Sequence, residues 1–285
     1  MVDTLSEHVE LLRRQYLQLI QPDELTLPPT AILKTAETQS QIFTTLFRDG
    51  NLRFPPTDRY RSRVLKLLVN TLEQSVSEPD EDEISDDLAS LLAESLVAQP
   101  MVSEINDAQR KSYVTYSVPE PLTITSPAQQ SITTLETPAL LAAGGTTGLR
   151  TWEAAKYLAS FLCSPMGRPF VLGQQIIELG AGTGLVSMFC ARHLGAEFTL
   201  ATDGTGEVVD SIVENMFLNG LDSKKTMDTA VLKWGHAVMP ELVLDEEGTR
   251  NYNLVLGADI QMKGLIAATI RKEETLEKFV RCCSM

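Results

Sequence analysis

The sequence predicts an all-helical N-terminal segment followed by a doubly wound α/β domain. Three observations carry that expectation. Apolar residues recur at helical spacing through the first hundred positions. From about residue 175, short apolar strands alternate with helices, the pattern of a parallel sheet. A glycine-rich turn, Glu178-Leu-Gly-Ala-Gly-Thr-Gly184, leaves the first of those strands. The 285 residues suffice for one large domain or two modest ones, and 43 % hydrophobic against 22 % charged residues supports a sizeable core.

The helical segment reads as follows. Leu5, Val9, Leu12, Tyr16 and Leu19 give an amphipathic first helix ending before Pro22. Pro28-Pro29-Thr30 breaks the chain, and a second helix follows with Ile32, Ile42, Phe43, Leu46 and Phe47 as core candidates, stopping near Asp49-Gly50. Pro55-Pro56-Thr57 starts a third, with Thr57 as N-cap and Tyr60, Val64, Leu67, Leu68 and Leu72 along one face. The acidic run from Glu78 to Glu83 lacks the ligand spacing and central glycine of a calcium loop, so it reads as a solvated turn before a helix from about Ser85 to Ala98.

From about Tyr113 to Thr137 threonine, serine, isoleucine and proline dominate, as at Leu122–Thr125 and Ser131–Leu135, predicting short strands or an extended crossing segment. The boundary falls here, giving a helical domain over 1–112 and an α/β domain over 113–285. Ala143 to Gly148 is a turn, and Trp152 to Leu162 a helix. Then come a strand at Gln175–Leu179, a helix at Leu185–His193, a strand at Phe198–Thr202, a helix at Val208–Leu218, and strands at Asp228–Leu232 and Tyr252–Leu256.

Charge and cysteine usage narrow the function classes. With 38 acidic and 24 basic residues the net charge is -14, which repels a phosphate partner, so neither nucleic acid nor a membrane surface is expected. No apolar run reaches membrane-spanning length, and the N-terminus has no basic region followed by an apolar stretch, so a cytoplasmic chain without a secretory signal is expected. Cys163, Cys190, Cys282 and Cys283 form no CxxC pair and no zinc-ligand spacing, so no metal is expected. His8 and His193 sit in helical patterns and read as surface or groove-filling side chains.

The glycine turn carries the chemistry. Gly180, Gly182 and Gly184 let the backbone turn sharply and approach a ligand with no Cβ in the way. The dinucleotide fingerprint GxGxxG needs glycine at position 185, which is Leu185, so a nicotinamide cofactor is disfavoured. ExGxGxG is the methyltransferase form, with Glu178 leading the loop as a candidate cofactor-binding residue. Asp203, nineteen residues after Gly184, ends the second strand of the sheet, where a carboxylate accepts hydrogen bonds from both ribose hydroxyls. Together these point to S-adenosyl-L-methionine. Each alone is common in α/β proteins.

Further segments carry a family resemblance. They are Leu11 to Tyr16, Arg59 to Arg61, Gly145-Thr-Thr-Gly-Leu-Arg-Thr-Trp-Glu-Ala-Ala155, Asn215-Met-Phe-Leu-Asn-Gly220, Leu232-Lys-Trp-Gly235, Gly257-Ala-Asp259 and Ala267 to Arg271. With the glycine loop they resemble the seven-strand (class I) S-adenosylmethionine-dependent protein-lysine methyltransferases, in particular the elongation-factor-2 group with its helical N-terminal domain. The resemblance implies a Rossmann-like class I sheet and a protein substrate, elongation factor 2. It implies that Trp152 lies near the sulfonium, where an aromatic face suits a cation. It implies that Trp234 packs on adenine, and that Asp259 is catalytic at the methyl-transfer centre. On composition alone Trp234 is equally a core aromatic and Asp259 a strand-end cap. Lys233 stands where the wider family often has aspartate.

The chain departs from the family after Asp259. The family pattern is Asp-x-x-Tyr, a helix, then the fifth strand; here Ile260-Gln-Met262 follows, and the fifth-strand-like Leu265–Ile270 begins after five residues. A parallel crossover takes about a dozen or more. The expectation is a C-terminally incomplete sheet, with Leu265–Ile270 antiparallel or displaced, and weakened activity. The competing reading is a non-catalytic interaction protein that keeps a cofactor fold.

Overall fold

A computed structural model describes residues 4–75, 83–97, 110–118, 130–137, 148–221, 225–234, 244–245, 248–249, 251–259 and 268–269. The chain divides into two compact units, Met1–Tyr116 and Ser117–Met285.

In the first unit, α1 (Thr4–Leu17) buries Val9, Leu12 and Tyr16, three positions that helical periodicity sets on one face. It ends as Leu19 takes a left-handed φ of 55°, ahead of Pro22. The second predicted helix is broken. Thr30–Leu33 forms one turn (α2), Ala36–Ile42 a second helix (α3), and Phe43–Phe47 a wider π-type turn closed by the Arg48 amide on the Phe43 carbonyl at 2.9 Å. The break lies at Lys34 and Thr35. The Thr35 hydroxyl accepts from the Thr38 amide at 3.3 Å, and buried Gln39 donates to the Lys34 carbonyl at 3.0 Å. Side chains here take over bonds that a continuous helix would make along its backbone. Gln39 also donates to the Glu83 carbonyl and accepts from the Ser85 amide, fixing the entry to α5 (Asp86–Val97).

The third predicted helix, α4 (Asp58–Ser75), buries Tyr60, Val64, Leu65, Leu68, Val69 and Leu72, with Leu67 only half-buried. Tyr16 packs edge-on to Phe47 and tilted to Tyr60, and the Tyr60 hydroxyl donates to the Ile20 carbonyl at 2.6 Å. The Leu11–Tyr16 and Arg59–Arg61 segments therefore meet in one core.

Strand β1 (Ser112–Ser117) runs across the division between the units. The strand expected at Leu122–Thr125 lies outside the described residues. The second unit contains β2 (Ser131–Glu136), α6 (Glu153–Cys163), β3 (Gln175–Leu179), α7 (Leu185–His193), β4 (Phe198–Asp203), α8 (Gly206–Leu218) and β5 (Met227–Val231). A small antiparallel pair follows, β6 (Leu244–Asp245) with β7 (Gly248–Thr249), and then β8 (Leu254–Gly257) and β9 (Ala268–Thr269).

The main sheet runs β5-β4-β3-β8-β9. Four strands are parallel, and the chain order reverses between β3 and β8, the switch point at which ligands bind in such sheets. The central strands are short and almost wholly buried, chiefly apolar with Glu178, Thr199 and Thr202 also buried, as a sheet covered on both faces requires. The last strand pairs antiparallel, Leu254 with Thr269 and Val255 with Ala268. The link after Asp259 is too short for a parallel crossover, and the strand reverses instead.

Two asparagines hold β2. Asn215 and Asn219 are four residues apart on one face of α8. The Asn219 side chain accepts from the Thr133 amide at 2.9 Å and donates to its carbonyl at 2.6 Å, while Asn215 accepts from the Leu135 amide at 2.8 Å. His193, expected at a surface or groove, is partly buried with Nε2 donating to the Ser131 carbonyl at 3.0 Å. Burial lowers its pKa. The same cause lifts the buried Cys163 thiol to about 11, so it stays protonated near neutral pH.

Candidate active site

Strand register brings the candidate residues to one edge of the sheet. Leu179 pairs with Thr202 on one side and Gly257 on the other, and Asp203 pairs with Val231. The chain therefore leaves three neighbouring strands at one level, carrying Gly180, Asp203 and Asp259, with Trp234 three residues beyond the fourth strand. Periodicity alone located these strands; their lateral order puts the residues side by side.

The glycine turn is left-handed three times, with φ of 65° at Gly180, 55° at Gly182 and 79° at Gly184. Gly184 is the N-cap of α7, and its carbonyl accepts from the Met188 amide at 2.9 Å. Any Cβ there would stand 2.8 Å from Ile212 Cγ2, so the turn requires glycine twice over, for conformation and for space.

Asp203 is bound into this turn. Its Oδ2 accepts from the Gly182 amide at 3.0 Å and its Oδ1 from the Gly204 amide at 2.7 Å. Each carboxylate oxygen has a second lone pair, so two acceptor sites are left for a diol. A Cβ at Gly204 or Gly206 would meet nothing within 4 Å, so this rim is open. The Leu232 amide donates to the Asp203 carbonyl at 2.8 Å, which draws the Leu232–Trp234 segment alongside. Trp234 is 38 % exposed, so it is not a core aromatic. An exposed indole on this segment supplies a flat apolar face for a heterocyclic ring.

Glu178 takes a different place from the one expected of a contact residue. It is 1 % exposed, and its Oε2 accepts from the Ser187 amide at 2.9 Å and from the Ser187 hydroxyl. Burial pushes its carboxyl up to about 7 against the lowering effect of those bonds. Its carbonyl accepts from the Thr202 hydroxyl at 2.6 Å. Glu178 braces the loop from beneath.

Trp152 is half-buried and immediately precedes α6. The Arg150 guanidinium lies over its ring, 5.5 Å from the centroid. The indole thus already presents a face to a cation, the property a sulfonium would use. Asp259 is exposed, with φ of 57°, a conformation that aspartate tolerates better than most residues. It joins the site through strand adjacency. Among the described residues, no group of three or more His, Cys, Asp and Glu is placed to hold a metal, and no helix is long and apolar enough to cross a membrane.

Three site residues were not anticipated. Glu136 is 2 % exposed and accepts from the Thr134 hydroxyl at 2.6 Å, the Thr151 hydroxyl at 2.6 Å and the Thr151 amide at 3.0 Å. The Thr151 hydroxyl also lies 2.6 Å from that of Thr183 in the glycine turn. The available signal was strand periodicity, which puts Glu136 on the same face as buried Ile132.

The arrangement fits an adenosyl cofactor: a Cβ-free turn, a diol acceptor, an exposed indole for the base and a second indole already in contact with a cation, Arg150. Comparison with known proteins agrees. The model of a family described as lysine methyltransferase matches residues 141–277. Protein-lysine N-methyltransferase EFM3 of Chaetomium thermophilum is 38 % identical, over 94 % of this chain and 84 % of that protein. Saccharomyces cerevisiae EFM3 is 32 % identical over 52 % of each chain. Human protein-lysine N-methyltransferase EEF2KMT is 29 % identical over 60 % of this chain and 44 % of its own length. The chain thus matches most of the Chaetomium protein and about half of the yeast and human ones. It belongs to the lysine methyltransferase family, protein-lysine N-methyltransferases whose cofactor is S-adenosyl-L-methionine.

Proposed function

We propose that this chain methylates a lysine of elongation factor 2 in the cytoplasm. The observation that supports it most is the Chaetomium relative, alike across both the helical unit and the α/β unit. The name EEF2KMT of the human and bovine relatives points to elongation factor 2 as substrate.

The proposed roles follow the geometry. Bound S-adenosylmethionine supplies an electrophilic methyl group. Asp203 accepts from the ribose, Gly180, Gly182 and Gly184 let the backbone approach, and Trp234 covers the base. Glu178 holds the loop on α7, and Trp152 faces the charged end of the cofactor. Asp259 draws and orients the substrate ammonium. The amine must lose its proton to attack, against an ordinary pKa of about 10.4, and desolvation on binding lowers that barrier. Methyl transfer is an in-line displacement, so alignment supplies much of the rate.

The antiparallel β9 favours a second reading, of a chain that binds cofactor but turns over slowly. Strand β9 pairs antiparallel with β8, the strand that leads to Asp259, and misplacing a catalytic group by about 1 Å already costs about 10²-fold. Incubation with purified elongation factor 2 and methyl-labelled cofactor tests both. Label on one lysine supports the substrate assignment, and no label from either this chain or a crossover-restored variant, both binding the cofactor, removes it. A variant with a crossover helix inserted between Asp259 and Leu265 is expected to be faster. Equal turnover would show that the reversed strand costs nothing.

A further inference from the structure

We propose that Glu136 is a positioning residue for the methyl donor. Through Thr151 and Thr183 its buried carboxylate locks the segment carrying Trp152 onto the glycine turn. This rests on the cofactor assignment of that turn and is independent of which protein is methylated.

The bond directions follow from valence. A carboxylate accepts and does not donate, so the Thr151 hydroxyl proton goes to Glu136 Oε1. A hydroxyl has one proton. In the Thr151–Thr183 pair the donor must therefore be Thr183, and the chain of bonds runs from Thr183 through Thr151 to Glu136. Oε1 also accepts from Thr134 and Oε2 from the Thr151 amide, so both oxygens are engaged. All four side chains are at most 2 % exposed.

The second end of Thr183 is held as well, its carbonyl accepting from Asn215 Nδ2 at 3.0 Å. Thr183 lies between Gly182, whose amide bonds Asp203, and Gly184, which caps α7. Gly148 approaches the same turn: its carbonyl oxygen would stand 3.6 Å from a Cβ on Gly182, an ordinary contact. The Thr137 amide donates to the Leu149 carbonyl at 3.1 Å, so the chain just past β2 and the 148–152 segment are joined a second time, beside Glu136. Burying a carboxylate is costly unless its bonds are satisfied, and an apolar residue would fill the space at lower cost. What an apolar residue would not supply is a fixed distance between Trp152 and the turn.

The test measures the S-adenosylmethionine dissociation constant by calorimetry, and ligand-free melting temperature, for the wild-type chain, Glu136→Gln, Thr183→Val, Thr183→Ser and the double variant Glu136→Gln/Thr183→Val. An amide at position 136 turns one acceptor into a donor that faces another donor. Glu136→Gln and Thr183→Val are each expected to weaken binding roughly tenfold or more, with Thr183→Ser close to wild type. The double variant is expected to bind no worse than the poorer single one, since both break one chain of bonds. Wild-type affinity in Glu136→Gln or Thr183→Val overturns the proposal, and so do effects that multiply independently. If Glu136→Gln does not fold, the two Thr183 variants decide. A wild-type chain that binds no cofactor defeats the cofactor assignment instead. One that binds it yet leaves elongation factor 2 unlabelled bears on substrate choice and turnover, and the positioning role still stands or falls on the variants' affinities.

Discussion

Substituting two glycines of the same turn by alanine is expected to give unequal losses. At Gly184 the left-handed φ of 79° costs an L-residue about 1–2 kcal/mol. The new Cβ would also stand 2.8 Å from Ile212 Cγ2, and relieving an overlap of that kind in a packed interior costs about 1–3 kcal/mol. Gly184→Ala should therefore lose about 2–5 kcal/mol, a large share of a domain stability of about 5–15 kcal/mol. At Gly182 the φ of 55° carries the same conformational cost, but the nearest atom to a Cβ is the Gly148 carbonyl oxygen at 3.6 Å. Gly182→Ala should lose only about 1–2 kcal/mol. Urea unfolding followed by circular dichroism measures both, with the slope checked for constancy. Ile212→Ala removes the clashing Cγ2, so in that background the Gly184→Ala penalty should fall to about the Gly182→Ala value. Equal losses at the two glycines, or a Gly184→Ala penalty unchanged by Ile212→Ala, would refute the assignment of the difference to the overlap.

Asp203→Ala removes the acceptor for the Gly182 amide and for the cofactor diol; a loss of about 1.5–3 kcal/mol in S-adenosylmethionine affinity is expected by calorimetry, and an unchanged dissociation constant would take Asp203 out of the site. Burial holds the Glu178 carboxyl near 7 against an ordinary 4.5, so between those values the native chain keeps a proton that the unfolded chain releases. Stability therefore falls as pH rises through that window, by at most about 3 kcal/mol, and Glu178→Gln should flatten the slope. Parallel urea midpoints for the two proteins at about pH 5 and about pH 8 would contradict this. Asn219→Ala leaves the buried Thr133 amide and carbonyl without their side-chain partner, and a loss of about 2–4 kcal/mol in urea unfolding is expected.

The α/β domain was largely legible because its signals are local. The strand at Gln175–Leu179 and the helix at Leu185–His193 are uninterrupted patterns bounded by glycines, and their limits match those read from the sequence. The second N-terminal helix was misread because its break depends on Thr35 and Gln39, ordinary helix residues until their side chains meet particular backbone groups. In the site, Gly180, Gly182, Gly184 and Asp203 were visible because the turn needs those residue types at those spacings. Glu136 was not. A single acid after a threonine-rich strand looks like a solvated end, and only the threonines brought from residues 151 and 183 make it a buried acceptor. Glu178 was visible as a motif residue, but its downward direction toward Ser187 depends on packing.

The asparagine clasp on β2 also bears on the order in which the chain folds. Thr133 and Asn219 are 86 residues apart, and Leu135 and Asn215 are 80 apart. Closing a loop of that size costs entropy before any contact offsets it, whereas the β3–α7–β4 contacts span few residues. By that measure β2, like β8 whose pairing with β3 is also long-range, is expected to dock after the β3–α7–β4 core, and the segment that Glu136 ties to the glycine turn is expected to be set with it. Removing the clasp should speed unfolding far more than it slows folding. Completion of the cofactor site is then expected among the late events of folding, with methyl-donor binding strengthening as Asn215 and Asn219 close on β2.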